Sequence, residues 1–230
     1  MKKINKSLLY LVVLSLVFPL IESCKKGEND PFLSLSSRKS RVEGTWTVSK
    51  MTATNTSSSL MGATALITNA TMNYDGQTAT VEVSAGSAGS TPTTSYDTIH
   101  YTNSYIFTKD GTFENTTDYD FPDDPDDDEV IKKTGTWTFS GGTGDIKNKE
   151  NLILSTTSLV LTETENGNTT TANYTYDGNY TEDYDGISIN SVFSIKQLKS
   201  KEMVLTTKEY NTDQSGNYSN TDYEITLTQQ

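Results

Sequence analysis

The sequence has one cysteine, one histidine and only two arginines in 230 residues, and each scarcity excludes a class of function. With Cys24 as the only thiol and His100 as the only histidine, the chain offers no internal disulfide and no thiolate or multi-histidine metal site. The arginines Arg38 and Arg41 form no basic stripe, and the formal net charge is −12. Because phosphate contacts need clustered Lys and Arg, nucleic acid is excluded as a partner.

Apolar side chains are also scarce, at 33% of the residues. A chain of this length is long enough for one large all-β domain or two small ones. Little apolar material is available for layers buried on both faces, so the composition favours sheets with one face in water.

The N-terminus has the pattern of an export signal. Lys2, Lys3 and Lys6 precede an apolar run from Leu8 to Ile21. This run is shorter than the stretch of about 20 residues that a membrane-spanning helix needs, so it is typical of a signal peptide. We expect residues 1–23 to be removed on export.

The residues Leu20-Ile21-Glu22-Ser23-Cys24 resemble a bacterial lipobox. The resemblance implies cleavage after Ser23 and a diacylglyceryl group on Cys24, which becomes the first residue of the mature chain. Acyl chains anchor a protein by burying CH₂ groups worth about 0.8 kcal/mol each. Losing three lysines and one glutamate gives a mature charge of −12 − 3 + 1 = −14. We expect an anionic membrane surface to repel this negatively charged chain, which a polar tether, residues 24–40, would hold away from the membrane.

The rest of the chain alternates apolar and polar residues with a period of two, which predicts half-buried strands. Asp-Gly turn signals at Asp75, Asp110, Asp177 and Asp185 and a Gly cluster at 141–144 separate them. The predicted strands are 44–53, 68–74, 78–84, 98–108, 112–119, 130–140, 151–164, 169–176, 186–197, 202–211 and 219–228. One helical turn is expected within 32–42, and 55–95 reads as loosely packed hairpins or mobile loops. The spacing predicts one all-β domain, either an antiparallel up-and-down β-barrel or a two-sheet sandwich.

Several motifs resemble lipocalin-like lipoproteins of the Bacteroidetes. They are NDPFLSL and the SRK segment in the tether, Gly44-Thr45-Trp46, Gly135-Thr136-Trp137 and the ending from Phe193 to Leu205. The resemblance implies a lipocalin-like barrel over residues 41–230, with Trp46 and Trp137 as structural residues that close it. It also implies a basic residue over the first tryptophan, for which Lys199, Lys201 and Arg41 are candidates. Glu28 and Asp30 resemble a signal for display on the cell surface. We expect an outer membrane lipoprotein that faces either the cell surface or the periplasm.

Three segments have compositions typical of a calcium-binding or glycosylation site. Asp118 to Glu129 is rich in carboxylates, which suit Ca²⁺, although a solvated loop between strands is the expectation. Asn211, Asp213, Ser215 and Asp222 follow part of the spacing of a calcium loop. Asp97-Thr98-Ile99 resembles a Bacteroidetes O-glycosylation acceptor. Apart from the diacylglycerol on Cys24, no cofactor is expected.

These observations predict a non-catalytic, membrane-tethered barrel that binds a small apolar ligand or a protein partner. A cavity of at least ~300 Å³ is expected if a ligand is held. The alternatives are a hydrolase acting on cell-surface glycans and a purely structural envelope protein. Such a hydrolase needs two inward carboxyl groups about 5 to 10 Å apart.

Overall fold

The computed structural model describes residues 37–61, 64–87, 90–120, 128–140, 151–176, 190–212 and 217–230. These residues form one short helix and eleven strands. Their bounds are α1 Arg38–Val42, β1 Gly44–Met61, β2 Thr64–Tyr74, β3 Thr78–Ser87, β4 Thr93–Phe107, β5 Thr112–Asp120, β6 Asp128–Phe139, β7 Asn151–Glu165, β8 Asn168–Thr175, β9 Asn190–Leu198, β10 Glu202–Thr212 and β11 Tyr218–Gln229.

All eleven predicted strands are present, and the helical turn is α1. The prediction for 55–95 is wrong where it expected loops, because β1 continues to Met61 and β4 begins at Thr93. Within β7 the register against β6 shifts near Thr134 and Gly135, so Thr156 and Leu159 are both buried although they are three residues apart. This long segment is therefore one strand with a β-bulge.

The turns follow from glycines with positive φ. Gly111 has a φ of +92° and Gly76 has a φ of +104°, values that residues with a Cβ rarely adopt. Asp75 Oδ1 accepts hydrogen bonds from the backbone N–H of Gln77 and Thr78, each at 3.0 Å, which fixes that turn. The Asp-Gly turns at Asp75 and Asp110 are confirmed, whereas those at Asp177 and Asp185 and the glycines of 141–144 lie outside the described residues.

Strand pairing closes the sheet into a barrel. All pairings are antiparallel, and ten strands form the ring β6-β5-β4-β3-β2-β1-β11-β10-β9-β7, which closes through β7 and β6. Strand β8 is an additional strand paired with β7. The prediction of an antiparallel barrel is confirmed, and ring closure rules out the sandwich.

The barrel is narrower at one end than at the other. At its narrow end, Gly44–Thr47 of β1 pair directly with Ser104–Phe107 of β4, so the β2–β3 hairpin is left out of the ring. The ring there consists of β1, β4, β5, β6, β7, β9, β10 and β11. We call this the closed end, and the opposite end, near Ser57, Tyr96 and Tyr218, the open end.

Apolar side chains fill the closed end. The inward-facing residues there are buried almost completely and include Trp46, Phe107, Leu152, Leu198, Met203 and Leu227. Burying a large apolar side chain contributes about 1.5–3 kcal/mol, so this cluster is the main source of stability in the fold.

Helix α1 lies across the closed end. The indole Nε1 of Trp46 donates a hydrogen bond to the Val42 carbonyl at 2.8 Å, and Arg41 Nη1 donates to the Leu198 carbonyl. Lys39 Nζ lies 5.7 Å from the ring centroid of Trp137, within cation–π range. The chain therefore enters the barrel at its closed end. No helix in the described part of the chain combines the length and the hydropathy required to cross a bilayer.

Candidate functional site

The inward side chains of the barrel are less buried and more polar toward the open end. Past the apolar cluster, inward side chains become half-buried because both faces of the sheet meet solvent. Six of them are Asn55, Ala70, Val81, Tyr119, Thr221 and Tyr223. We call the space that they line the chamber. Most of these side chains are small or polar, so the inward face here carries hydrogen-bonding groups and less side-chain volume than the closed end.

Tyrosines form the boundary between the apolar cluster and the chamber. The rings of Tyr74 and Tyr101 meet edge to face with centroids 5.0 Å apart, and Tyr101 and Tyr119 lie 5.2 Å apart. Tyr119 on β5 and Tyr223 on β11 extend from opposite sides of the ring of strands. The floor of the chamber is therefore aromatic with polar hydroxyl groups, a surface that offers both stacking and hydrogen bonding.

A buried pair of amides supports this floor. Asn115 Nδ2 donates to Asn103 Oδ1 at 2.6 Å, and Asn103 Nδ2 donates to the Tyr101 hydroxyl at 2.6 Å. Asn103 and Asn115 are only 9% and 6% exposed. Since a buried amide without partners costs free energy, this hydrogen-bonded chain fixes the position of Tyr101. Nearer the open end, Asn55 Nδ2 donates to Thr221 Oγ1 at 2.6 Å and to Ser219 Oγ at 2.8 Å.

The interior of the barrel keeps its phenols protonated, both at the closed end, where Tyr105 lies, and in the chamber. Burial raises the pKa of Tyr105 to about 12. Burial also raises the pKa of Tyr119 to about 12, with smaller effects from the negative charge of Glu129 and from Tyr223. The pKa of Tyr223 is raised by burial and by Glu209. At neutral pH these hydroxyl groups are hydrogen-bond donors and acceptors, not bases.

One pair of carboxylates faces inward near the open end. Ile131 and Leu161 are buried register partners, and two residues further along each strand Glu129 lies opposite Glu163. Residues directly opposite one another in an antiparallel pair have Cβ atoms about 4.5–5.5 Å apart. Sequence reasoning did not nominate this pair, because the two glutamates are brought together only by the register of β6 and β7.

The two predicted closing tryptophans lie at the closed end. Trp46 is completely buried, and Trp137 is 5% exposed and donates from Nε1 to the Thr108 carbonyl at 3.0 Å. Of the three basic candidates, Arg41 is buried at this end, whereas Lys199 is exposed and pairs with Glu202 at 3.0 Å. Lys201 is exposed as well. Neither tryptophan lines the chamber.

The candidate calcium residues are only partly described. Asp222 lies within β11, where its Oδ2 is 3.0 Å from Lys208 Nζ. Asp213 and Ser215, and the side chain of Asn211, lie outside the described residues, as do Cys24 and Ser23. Among the described residues, no group of three or more His, Cys, Asp or Glu side chains is arranged to hold a metal ion.

The carboxylate-rich segment spans the β5–β6 connection. Asp118 and Asp120 belong to β5 and Asp128 and Glu129 to β6, while 121–127 lie outside the described residues. Partial burial, and then repulsion from Asp128 and Asp120, raises the pKa of Asp118. Asp120 Oδ2 is 3.2 Å from Nδ1 of His100, an exposed residue on the outside of β4.

The acceptor-like Thr98 is exposed on the outer face of β4. Its backbone N–H donates to the side chain of Asp97 at 2.7 Å.

Comparison with known proteins yields no family match and a weak structural similarity. No protein-family model matches the sequence, and no curated protein matches it. Among solved structures, a crystal structure described as a porin-like protein from Bacteroides uniformis is similar, at 14% identity, and the match covers 80% of this chain and 97% of that one. The TM-score is 0.20, so this similarity supports no functional argument.

Proposed function

We propose that the protein is a lipid-anchored, lipocalin-like and non-catalytic binding barrel whose ligand enters the chamber from the open end. One observation carries the proposal. The inward side chains are buried at the closed end and half-exposed at the open end, so one half of the barrel is filled and the other half is accessible. A concave space lined by aromatic rings and a few polar groups is typical of a small-molecule site.

The polar groups of the chamber favour a ligand that is only partly apolar, in place of the purely apolar ligand expected from the sequence. Asn55 and Thr221 bond each other, but Tyr119 and Tyr223 also present hydroxyl groups, which a purely apolar ligand would leave without partners. Leaving buried polar groups unpaired costs about 1–3 kcal/mol each. The ligand therefore carries its own hydrogen-bonding groups beside an apolar part that packs against the tyrosine rings.

The outer face of the barrel is polar, as expected of a domain surrounded by water. Outward side chains form ion pairs, with Lys132 Nζ 3.0 Å from Glu114 Oε1 and Lys196 Nζ 2.5 Å from Glu224 Oε2. A lipid-facing barrel needs an apolar band about 25 Å tall, and charges there are destabilising. The ion pairs support a barrel that lies outside the lipid, and the lipobox-like sequence supports its attachment to the bacterial outer membrane through a diacylglyceryl group on Cys24, with residues 24–40 as the tether.

The test is native mass spectrometry of the full chain purified from its host membrane. A bound small molecule should be released from the parent protein and lost from Ala70→Trp, which fills the chamber. The matched control is Asn69→Trp, which adds the same indole to the outer face of the same strand. No added mass on the parent, or retention of the ligand by Ala70→Trp, would overturn the proposal.

A second candidate, hydrolysis of glycans, is favoured by the inward pair Glu129 and Glu163. Paired carboxyl groups are the machinery of most glycoside hydrolases. This activity predicts that Glu163→Gln abolishes turnover of a glycan substrate while the melting temperature stays unchanged. If the parent chain cleaves none of a panel of envelope glycans, this candidate is excluded.

A further inference from the structure

A second concave surface lies outside the chamber, where β9 separates from β10. Pairing between the two strands ends at Ser194 and Thr206, and no described residue of β9 pairs with β10 beyond that point. A cleft of about 650 Å³ opens there. We call it the side cleft. Its volume lies within the range of roughly 300–1,000 Å³ that small-molecule sites occupy.

Two rows of outward residues form the base of the side cleft. The strand registers place Thr52, Glu224 and Thr206 in one row. Thr54, Asp222 and Lys208 form the adjacent row, one step toward the open end. Three hydroxyl groups and three charged groups therefore lie side by side across β1, β11 and β10.

The charges around the side cleft cancel. Lys208 Nζ lies 3.0 Å from Asp222 Oδ2, and Lys196 Nζ lies 2.5 Å from Glu224 Oε2. Since two ammonium groups balance two carboxylates, the surface is locally neutral in a chain whose net charge is −12. A local potential near zero selects neither anions nor cations, so the chemistry favours an uncharged polar ligand.

One carboxylate of the cleft is incompletely satisfied. Asp222 Oδ1 is buried and has no hydrogen-bond partner among the described residues, while Oδ2 is held by Lys208. An unpaired buried acceptor costs free energy, and a donor brought by a ligand would remove that cost. The terminal torsion of an aspartate is soft, so a rotation of the carboxylate can turn Oδ1 toward such a donor.

We propose that the side cleft binds a neutral oligosaccharide. The hydroxyl groups of a sugar are both donors and acceptors, so they match carboxylate acceptors, ammonium donors and threonine hydroxyls at the same time. Val192, which is 51% exposed, provides apolar contact at the edge of the cleft. The inference does not depend on the chamber being occupied.

The experiment is calorimetric titration of the full chain, in a detergent without a sugar headgroup, with maltotriose, cellotriose, mannotriose, galactotriose and chitotriose. At least one sugar is expected to bind with a defined stoichiometry. Thr206→Val keeps the side-chain shape and removes one hydroxyl, so it should weaken binding about three- to tenfold, the effect of one hydrogen bond. Asp222→Asn should weaken it at least as much.

Two controls separate this site from the rest of the barrel. Thr228→Val removes an exposed hydroxyl from β11 outside the cleft and should leave the affinity unchanged. Ala70→Trp, which blocks the chamber, should also leave it unchanged. The proposal fails if none of the five sugars binds, if Thr206→Val binds as well as the parent, or if Ala70→Trp abolishes binding, the last result placing the sugar in the chamber.

Discussion

Replacing Tyr105 or Tyr119 by phenylalanine is expected to reduce the sensitivity of the protein to alkaline denaturation. Burial raises the pKa of each phenol from 10.0 to about 12 in the folded state. Above pH 10 the unfolded chain loses these protons and the folded chain keeps them. Stability is therefore complete below pH 10 and is lost as the pH rises toward 12.

The magnitude follows from the size of the shift. About 2 pKa units at 1.36 kcal/mol per unit correspond to a loss of up to about 2.7 kcal/mol for each tyrosine by pH 12. For a protein whose total stability is about 5–15 kcal/mol, two such groups are a substantial fraction. The pKa values of Tyr74, Tyr101 and Tyr223 are also raised by burial, and these phenols add to the loss in the parent and in each variant alike.

The assay is urea unfolding at pH 8, 10, 11 and 11.5, followed by far-UV circular dichroism. Tyr119→Phe should start with a lower or equal stability at pH 8 and lose less of it by pH 11.5 than the parent does. Tyr96→Phe removes a phenol that is 76% exposed and should retain the pH dependence of the parent. If Tyr119→Phe and the parent show the same pH dependence, the argument that burial protects these phenols is wrong.

Three further outcomes are expected. Gly135→Ala places a Cβ 2.0 Å from the Ser155 carbonyl oxygen and should cost about 3 kcal/mol in urea unfolding. Gly167→Ala, at a φ of +73° with open space around it, should cost about 1 kcal/mol and is its control. Arg41→Met removes the hydrogen bond to the Leu198 carbonyl and should lower stability by about 1–3 kcal/mol, whereas Arg41→Lys should lower it less. Hydrogen exchange should be slower at the closed end than in the β2–β3 hairpin, and equal rates would contradict the division of the barrel into a filled and an open half.

The strands were predictable because their signals are local. Trp137 and Phe139 alternate with Thr136 and Thr138, and this period of two identifies a half-buried strand without knowledge of its partners. The Asp-Gly turns are also local, since Gly76 and Gly111 supply the positive φ that a tight turn requires. An equally local signal, Asn166-Gly167, was overlooked, and both residues have positive φ in the turn between β7 and β8.

The smaller ring of strands at the closed end could not be predicted from the sequence, because it depends on contacts between distant segments. Pairing of Trp46 with Tyr105 excludes a whole hairpin from the closed end, and no pattern within either segment specifies it. A phase change marks one of the bulges, since Trp46 and Val48 are followed by Met51 and Ala53 on the inward face. Such a change shows that a bulge exists, but it does not show where the neighbouring strand will lie.

The chamber was missed for a related reason. Tyr119 and Tyr223 are separated by more than a hundred residues and meet only because β5 and β11 occupy opposite sides of one ring. Each tyrosine by itself is an ordinary strand residue. Composition did contain a hint, because 13 tyrosines are many for a chain with 33% apolar residues, and a barrel offers such amphipathic side chains an interior that is partly wet.

The length of the strands connects stability with function in this protein. Long strands such as β1 and β7 run from the apolar cluster toward the open end, so the packing of Trp46 and Leu152 at one end holds the backbone that positions Asn55 and Glu163 further along. A hairpin such as β2–β3 is marginal by itself and becomes stable when a neighbouring strand is already fixed. The open half can therefore line its interior with small and polar side chains, which contribute little to stability, because the closed half supplies the burial that keeps the barrel folded.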